Sequence, residues 1–400
     1  MIIICGAGII GLSIARELVK SGAEDIVILE KEKELGFHAS GRNSGVLHAG
    51  IYYTPDSLKA RFCLKGNLMM KEYCKEKSIP VLETGKVIVT KREEELPVLD
   101  ELYQRARRNG ADVRLIDSKE LEEVEPYART VEKAIFSPLT AVVDAKRVIY
   151  TLAKELADTG KVKIVKETEV VGVKESNTLK TTRGEYTFDL FINSAGAYAD
   201  KIAHFFYVGR NYRIIPFKGT YNKLKKEKSY LVRGNIYPVP DIRNPFLGVH
   251  FTKGYNGEVY IGPTAIPAFG RENYGLISGI DGEAPSILLS DAILFVKNKK
   301  FRNVALTEPK KYFKNYFYRD IAPMVKGIEP EDIIPSSKVG IRPQLVNWDT
   351  KELVMDFLVL KDSNSIHILN AISPAFTSAF AFAEFVVSEY ILNKEVKNAL

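Results

Sequence analysis

Ile2-Ile3-Ile4-Cys5-Gly6-Ala7-Gly8-Ile9-Ile10-Gly11 follows the initial methionine. A short apolar strand runs into a GxGxxG turn, and Ile10, Ile14, Leu18 and Val19 continue at helical spacing. Gly22 can stop that helix, and Ile26 to Leu29 form a second apolar strand. A strand–turn–helix–strand unit predicts a parallel, doubly wound sheet. The glycine motif is common by itself, but here it lies between a strand and a helix, the context it needs. Gly6 permits the tight turn, Gly8 lets a diphosphate approach the backbone, and Gly11 lets the helix pack on the sheet. The helix start at Ile9 and Ile10 offers free N–H groups and a positive dipole end to phosphates. Glu30, with Lys31 after it, ends the second strand 19 residues beyond Gly11, where a carboxylate can accept ribose hydroxyls.

The motif alone does not distinguish NAD from FAD. A second glycine-rich segment, Gly36 to Gly50, follows Glu30 closely. A loop hugging the cofactor directly after the ribose carboxylate suits a larger, buried flavin.

The 400 residues predict two or three domains at roughly 150 residues per domain. A hydrophobic fraction of 46% and a charged fraction of 27% are ordinary for a globular chain and exclude a mainly disordered one. Three cysteines exclude a disulfide scaffold, and the five histidines show no paired ligand spacing, so no metal site is expected. The net charge of +7 suits anionic substrates or an anionic membrane surface. No dense basic tract or reader motif predicts nucleic-acid binding. No stretch reaches 18 consecutive apolar residues, so no spanning helix is expected. The first apolar run has no basic leader, and the expected location is cytoplasmic.

Along the chain, Leu58 to Lys75 and Glu93 to Asn109 read as helices, and Lys86 to Thr90 as a strand. Lys161 to Lys174 and Leu179 to Thr187 alternate like antiparallel strands. From Tyr212 to Pro267 the text turns to tyrosine, phenylalanine, proline and glycine in short alternating runs, as in an antiparallel sheet. Pro285 to Lys326 looks helical, and a long helix from about Ala375 to Asn393 closes the chain. The fold class is therefore α/β, a Rossmann-like cofactor domain with a parallel sheet plus a second, α+β domain on an antiparallel sheet. The cofactor domain is expected at 1–80, 142–211 and 333–400, and the second domain at 81–141 and 212–332.

The segment His38-Ala-Ser-Gly-Arg42-Asn43-Ser44-Gly45-Val46-Leu47-His48-Ala49-Gly50-Ile51-Tyr52-Tyr53 closely resembles its counterpart in L-2-hydroxyglutarate dehydrogenases and oxidases. These belong to the D-amino-acid-oxidase-like FAD superfamily. Pro216 to Gly219, Gly234 to Asp241, Pro245 to Thr252 and Asn370 to Ser378 agree with it too, and the likeness covers nearly the whole chain. Arg42 stands where relatives usually carry histidine, and Ile372 replaces a proline of the closing segment. The resemblance implies FAD, a substrate-binding role for the second domain, and oxidation of a 2-hydroxy dicarboxylate, first L-2-hydroxyglutarate, to a 2-oxo acid. Electrons would pass to a quinone, oxygen or a carrier protein. A glycerol-3-phosphate dehydrogenase, an amino-acid or amine oxidase, or a non-catalytic flavin-binding partner subunit are the alternatives on this fold.

Oxidising a secondary alcohol removes a hydride to the flavin and a proton to a base, for which histidine is suited. The resemblance places His48 and His250 beside the flavin, and either can be that base. Arg342 is the first choice for a substrate carboxylate, because a guanidinium fork binds one bidentately, and it also lies where the cofactor is held. Lys218, Arg233 and Arg42 are further cations for that task. Tyr237 and Tyr255 could donate hydrogen bonds. Arg42 could instead neutralise the FAD diphosphate, beside Asn43, Ser44, Gly45 and Val46 of the cofactor loop. Ala195 and Gly196 resemble a third FAD-contact turn, with Val170 near the adenine. Ser373, Pro374, Ala375 and Thr377 open the last helix, whose N–H groups face the flavin. Phe295 to Lys326 interleaves aromatics with lysines, which would suit a peripheral contact on the inner face of the cell membrane and a quinone acceptor.

Overall fold

A computed structural model describes residues 1–240 and 246–392. Asp241 and Pro245 of the family-like text, and the chain beyond Leu392, lie outside the described residues.

The opening strand Ile2–Cys5 is central to a six-stranded sheet. The order is Leu358–Asp362, Ser365–Asn370, Leu190–Asn193, Ile2–Cys5, Ile26–Leu29, Val162–Val165. All neighbours are parallel except the edge strand Leu358–Asp362. Covered on both faces, the inner strands Ile2–Cys5 and Ile26–Leu29 need continuous apolar runs, and IIIC and IVIL supply them. The helices Ile9–Lys20, Leu58–Glu76 and Ala375–Val386 cover one face.

That closing helix, carried on to Leu392, is apolar and long enough to cross a membrane by length and composition. Its residues from Ala375 to Ala383 are instead all buried against the two neighbouring helices, so it is a core element. The alternation over 161–174 has a split outcome. Val162–Val165 pairs in parallel with Ile26–Leu29, whereas Val170–Glu175, Thr178–Thr181 and Gly184–Thr187 form an antiparallel sheet. Period-two patterning predicts strands but does not name their partners.

The second sheet has ten strands. Its long spine pairs Tyr212–Leu224 with Ile333–Asn347 in register from Tyr212↔Asn347 to Leu224↔Ile333. The expected change of domain at residue 333 is thus displaced: the strand to Asn347 belongs to the antiparallel sheet. One irregularity, between Thr220 and Asn222, interrupts the ladder, but the two strands pair on both sides of it and stay together to Asn347. Lys86–Val89, Asn235–Pro238, His250–Lys253 and Val259–Gly262 continue this sheet towards Lys133–Ser137. Ala141–Val143 pairs instead on one side with Val46–Leu47 of the cofactor loop and on the other with Val81–Leu82, binding that loop to the body of the protein.

One buried ion pair joins the two halves. Arg271 grips Asp200 with Nη1–Oδ1 at 2.6 Å and Nη2–Oδ2 at 3.1 Å, and Asp200 also accepts the backbone N–H of Ile214 at 2.9 Å.

Candidate active site

A cleft of about 630 Å³ runs from the glycine turn to the inner face of the ten-stranded sheet. At its first end Gly6 has φ +99°, and a Cβ there would lie 2.7 Å from the Ser194 carbonyl oxygen. A Cβ on Gly11 would lie 2.1 Å from the Gly6 carbonyl oxygen, so the helix meets the turn only because both residues are glycine. The Ile9 N–H donates to Ser40 Oγ at 2.9 Å, and Ile10 lines the cleft beside it. Ser40 was not among the sequence candidates, although it lies in the second glycine-rich segment. Glu30 accepts from Ala7 N at 2.9 Å and Glu32 N at 3.0 Å, which holds its carboxylate at the strand end.

Lys31 lines the cleft but gives its ammonium to Glu32 and to Glu272, the latter at 2.5 Å. His38 bonds the Tyr274 hydroxyl at 2.7 Å and Glu32 at 2.9 Å. The Glu32, His38 and Glu272 cluster is therefore bridged by a lysine. Arg42 donates to the Phe37 carbonyl at 2.7 Å and lies 4.0 Å from the Tyr274 ring centroid. Asn43 Oδ1 accepts Gly45 N at 2.8 Å, and Ser44 and Val46 line the wall with it. Gly45 has φ +76°, with the Val143 carbonyl oxygen 2.3 Å from where a Cβ would be. Val170, Ala195, Gly196, Ser373, Pro374, Ala375 and Thr377 complete this half. Thr377 Oγ1 accepts the His48 N–H at 3.1 Å, which ties the loop to the closing helix.

At the other end His48, Tyr237, His250 and Arg342 face one space. His250 is buried, stacks on Tyr237, and shares a hydrogen bond of 2.8 Å between Nδ1 and the Gly248 carbonyl. A carbonyl only accepts, so Nδ1 carries the proton and Nε2 is the free base. Burial, then Lys86 and Lys311, pull His250 down to about 4. Burial, then Lys86 and His250, pull His48 well below its usual value, and among the described residues its buried Nδ1 has no partner. Both imidazoles are neutral at pH 7. Arg342 lies over the Phe246 ring at 4.7 Å, among the described residues its buried Nε has no partner, and burial lowers it to about 10.

Three of the cations and tyrosines expected here are elsewhere. Lys218 alternates with Phe217 and Gly219, which line the cleft, so it points to the opposite face. There its ammonium donates to Asn273 Oδ1 at 3.0 Å and the Gly275 carbonyl at 2.7 Å. Tyr255 is 53% exposed at the turn between His250–Lys253 and Val259–Gly262. Arg233 donates to the Glu123 carbonyl at 3.1 Å on the surface. Conversely, Lys86 and Tyr52 stand behind the histidines and were passed over. The signal for Lys86 was a lysine opening the otherwise apolar strand Lys86–Val89.

The half that begins at Gly6 fits FAD. The glycine positions admit a diphosphate, the helix start presents N–H groups, and the cleft continues past Val170 on one side and Thr377 on the other.

Comparison with known proteins agrees. The family model "FAD dependent oxidoreductase" matches residues 1–389. The mitochondrial L-2-hydroxyglutarate dehydrogenase of Bos taurus is 36% identical over 97% of this chain and 88% of its own. The L-2-hydroxyglutarate dehydrogenase of Indibacter alkaliphilus is 37% identical over 98% and 99%. Among solved structures, the L-α-glycerophosphate oxidase of Mycoplasma pneumoniae with FAD bound superposes with a TM-score of 0.73 at 22% identity, covering 96% of this chain and 93% of that one, which shows the shared fold. The chain belongs to the DAO family of FAD-dependent oxidoreductases.

Proposed function

We propose that this enzyme oxidises L-2-hydroxyglutarate to 2-oxoglutarate. The observation that carries the reading is the far end of the cleft, where two neutral imidazoles face a buried guanidinium whose Nε has no partner among the described residues. The relatives named for that substrate, similar over nearly the whole chain, support it.

The Arg342 fork binds the carboxylate next to the reacting carbon and orients the hydroxyl. His250 Nε2 accepts the hydroxyl proton, and the Gly248 carbonyl stabilises the imidazolium through Nδ1–H. His48, anchored through its backbone to Thr377, packs the same space and keeps it dry. Bound FAD would supply the acceptor for the hydride leaving the α-carbon.

Electron transfer onward to a quinone, with peripheral contact on the inner face of the cell membrane, is supported by the helix Ala284–Lys297. It buries Ile287, Ser290 and Leu294, while Leu289 and Val296 on its other side are 64% and 67% exposed. Lys297, Lys299, Lys300 and Arg302 follow, a pattern suited to anionic lipid headgroups. Co-sedimentation with phosphatidylserine vesicles, lost in Leu289→Lys/Val296→Lys, tests this part.

The substrate is tested by anaerobic absorbance. L-2-hydroxyglutarate should bleach the flavin band, and the D enantiomer and glycerol 3-phosphate should not. A band that stays oxidised with the L acid sinks the reading.

A further inference from the structure

Lys86 is 2% exposed, and among the described residues its ammonium has no hydrogen-bond partner. It lies 4.8 Å from the Tyr52 ring centroid and 4.9 Å from that of Tyr237. The Tyr52 hydroxyl is buried without a partner as well. The strand register explains the placement. Lys86–Val89 runs parallel to Asn235–Pro238 with Val87 beside Ile236, so Val87 and Ile236 enter one core. Ile88 and Tyr237 enter the core on the opposite face, with Ile51 and Tyr52, and Lys86 shares that face by alternation.

A buried ammonium without a counter-ion is costly, and folds keep such groups where a ligand completes them. Among the described residues, His48 Nδ1, Tyr52 Oη, Lys86 Nζ and Arg342 Nε are buried polar atoms of this region without partners. Burial lowers Lys86 to about 8, and Cys63, the neighbour that opposes this, is a buried thiol. The cations Lys86 and Arg342 therefore face a common demand for negative charge, and a single carboxylate on Arg342 leaves Lys86 unanswered. Lys86 lies one ring behind the lining residue Tyr237, and its four-carbon stem is flexible.

Resting on the 2-hydroxy-acid reading above, we infer that Lys86, with the Tyr52 hydroxyl, anchors the second carboxylate of the substrate and sets the preference for a dicarboxylate. Arg342 holds the carboxylate beside the reacting carbon, Lys86 the one at the far end of the chain. The spacing between them selects chain length.

The test compares L-2-hydroxyglutarate with L-2-hydroxybutyrate, which keeps the reacting carbon and lacks the second carboxylate. In Lys86→Met holoenzyme the ratio of their kcat/KM values should fall by about 100-fold, the scale for losing one partner of a buried charge pair. In Tyr52→Phe it should fall by about tenfold, the scale for one hydrogen bond to a charged group. A second readout needs no turnover. Glutarate should raise the Tm of the wild-type protein more than butyrate does, and Lys86→Met should erase the difference. Equal losses on both substrates, or an unchanged ratio in both variants, overturn the proposal. So does a glutarate shift that survives in Lys86→Met. If Lys86→Met does not fold, Tyr52→Phe and the glutarate–butyrate contrast in the wild type decide it. If no hydroxy acid reduces the wild-type flavin, the reading of the reaction falls, while the glutarate contrast judges Lys86 separately.

Discussion

The imidazole of His250 lies nearly flat on the ring of Tyr237, with centroids 3.8 Å apart and planes 22° apart. The stack holds the ring while the Gly248 carbonyl fixes its tautomer, so one nitrogen is presented to the cleft. His250→Ala should slow flavin reduction by about 100- to 10,000-fold, the range for a general base. FAD content should be unchanged, because His250 is on the antiparallel sheet, away from the glycine turn. Stopped-flow absorbance checks this. A larger loss in His48→Ala than in His250→Ala would reverse the two roles.

The same burial makes a stability prediction. Folding moves His250 from about 6.5 to about 4, so between those values the unfolded chain binds the proton that the folded chain refuses. Its contribution is whole above pH 6.5 and is lost as the pH falls towards 4. For this group the loss amounts to about 3 kcal/mol. Denaturant titrations of wild type and His250→Asn from pH 7 to 4.5 should give a shallower acid loss in the variant. Parallel pH curves would contradict it.

The cofactor half was legible because its rules are local. A GxGxxG between strand and helix fixes backbone positions within a few residues, and Gly6, Gly11 and Glu30 stand where that rule puts them. Tyr255 falls in the exposed turn between two strands, and Lys218 is turned away from the cleft for a different reason. Whether a strand residue faces the cleft depends on which sheet face the second domain turns inward, and Lys218 differs from Phe217 only by parity. Lys86 carries only a local signal, a lysine opening an apolar strand, because its neighbours Tyr52 and Tyr237 are distant in sequence and Tyr237 reaches it only through the pairing of Lys86–Val89 with Asn235–Pro238. The strand Ile333–Asn347 reads in the sequence as the return to the cofactor domain, since the chain closes with that domain's last strands and helix, though its ladder is with Tyr212–Leu224.

Arg271 and Asp200 make a second stability prediction. The pair is buried, bidentate and shared with Glu283, whose Oε2 accepts from Arg271 Nε at 3.0 Å. Removing one partner of a buried pair leaves the other charge uncompensated, at a cost of about 3–5 kcal/mol. Arg271→Ala should lower the midpoint of urea unfolding accordingly. Arg271→Met with Asp200→Asn together should recover part of the loss, because no charge is then stranded. If the double variant is no more stable than the single one, the pair does not act as a unit.

Gly11 is the sharpest test of the cofactor half. The helix Ile9–Lys20 approaches the turn so closely that a Cβ on Gly11 would sit 2.1 Å from the Gly6 carbonyl oxygen and 2.7 Å from Ser194 Oγ. The first atom is backbone and cannot rotate away, so Gly11→Ala must push the helix start outward. That movement disturbs the bond from the Ile9 N–H to Ser40 Oγ and misaligns the positive dipole end with the diphosphate position. Overpacking of this kind costs about 1–3 kcal/mol, which lowers FAD affinity by about 10- to 100-fold. The ratio of flavin to protein absorbance after dialysis measures it directly. Gly22→Ala, at the far end of the same helix, meets nothing within 4 Å of its Cβ and strains only the backbone at φ +88°, so it should lose some stability and retain full flavin. Equal flavin content in Gly11→Ala and Gly22→Ala would mean that the tight contact at the turn is not what holds the cofactor.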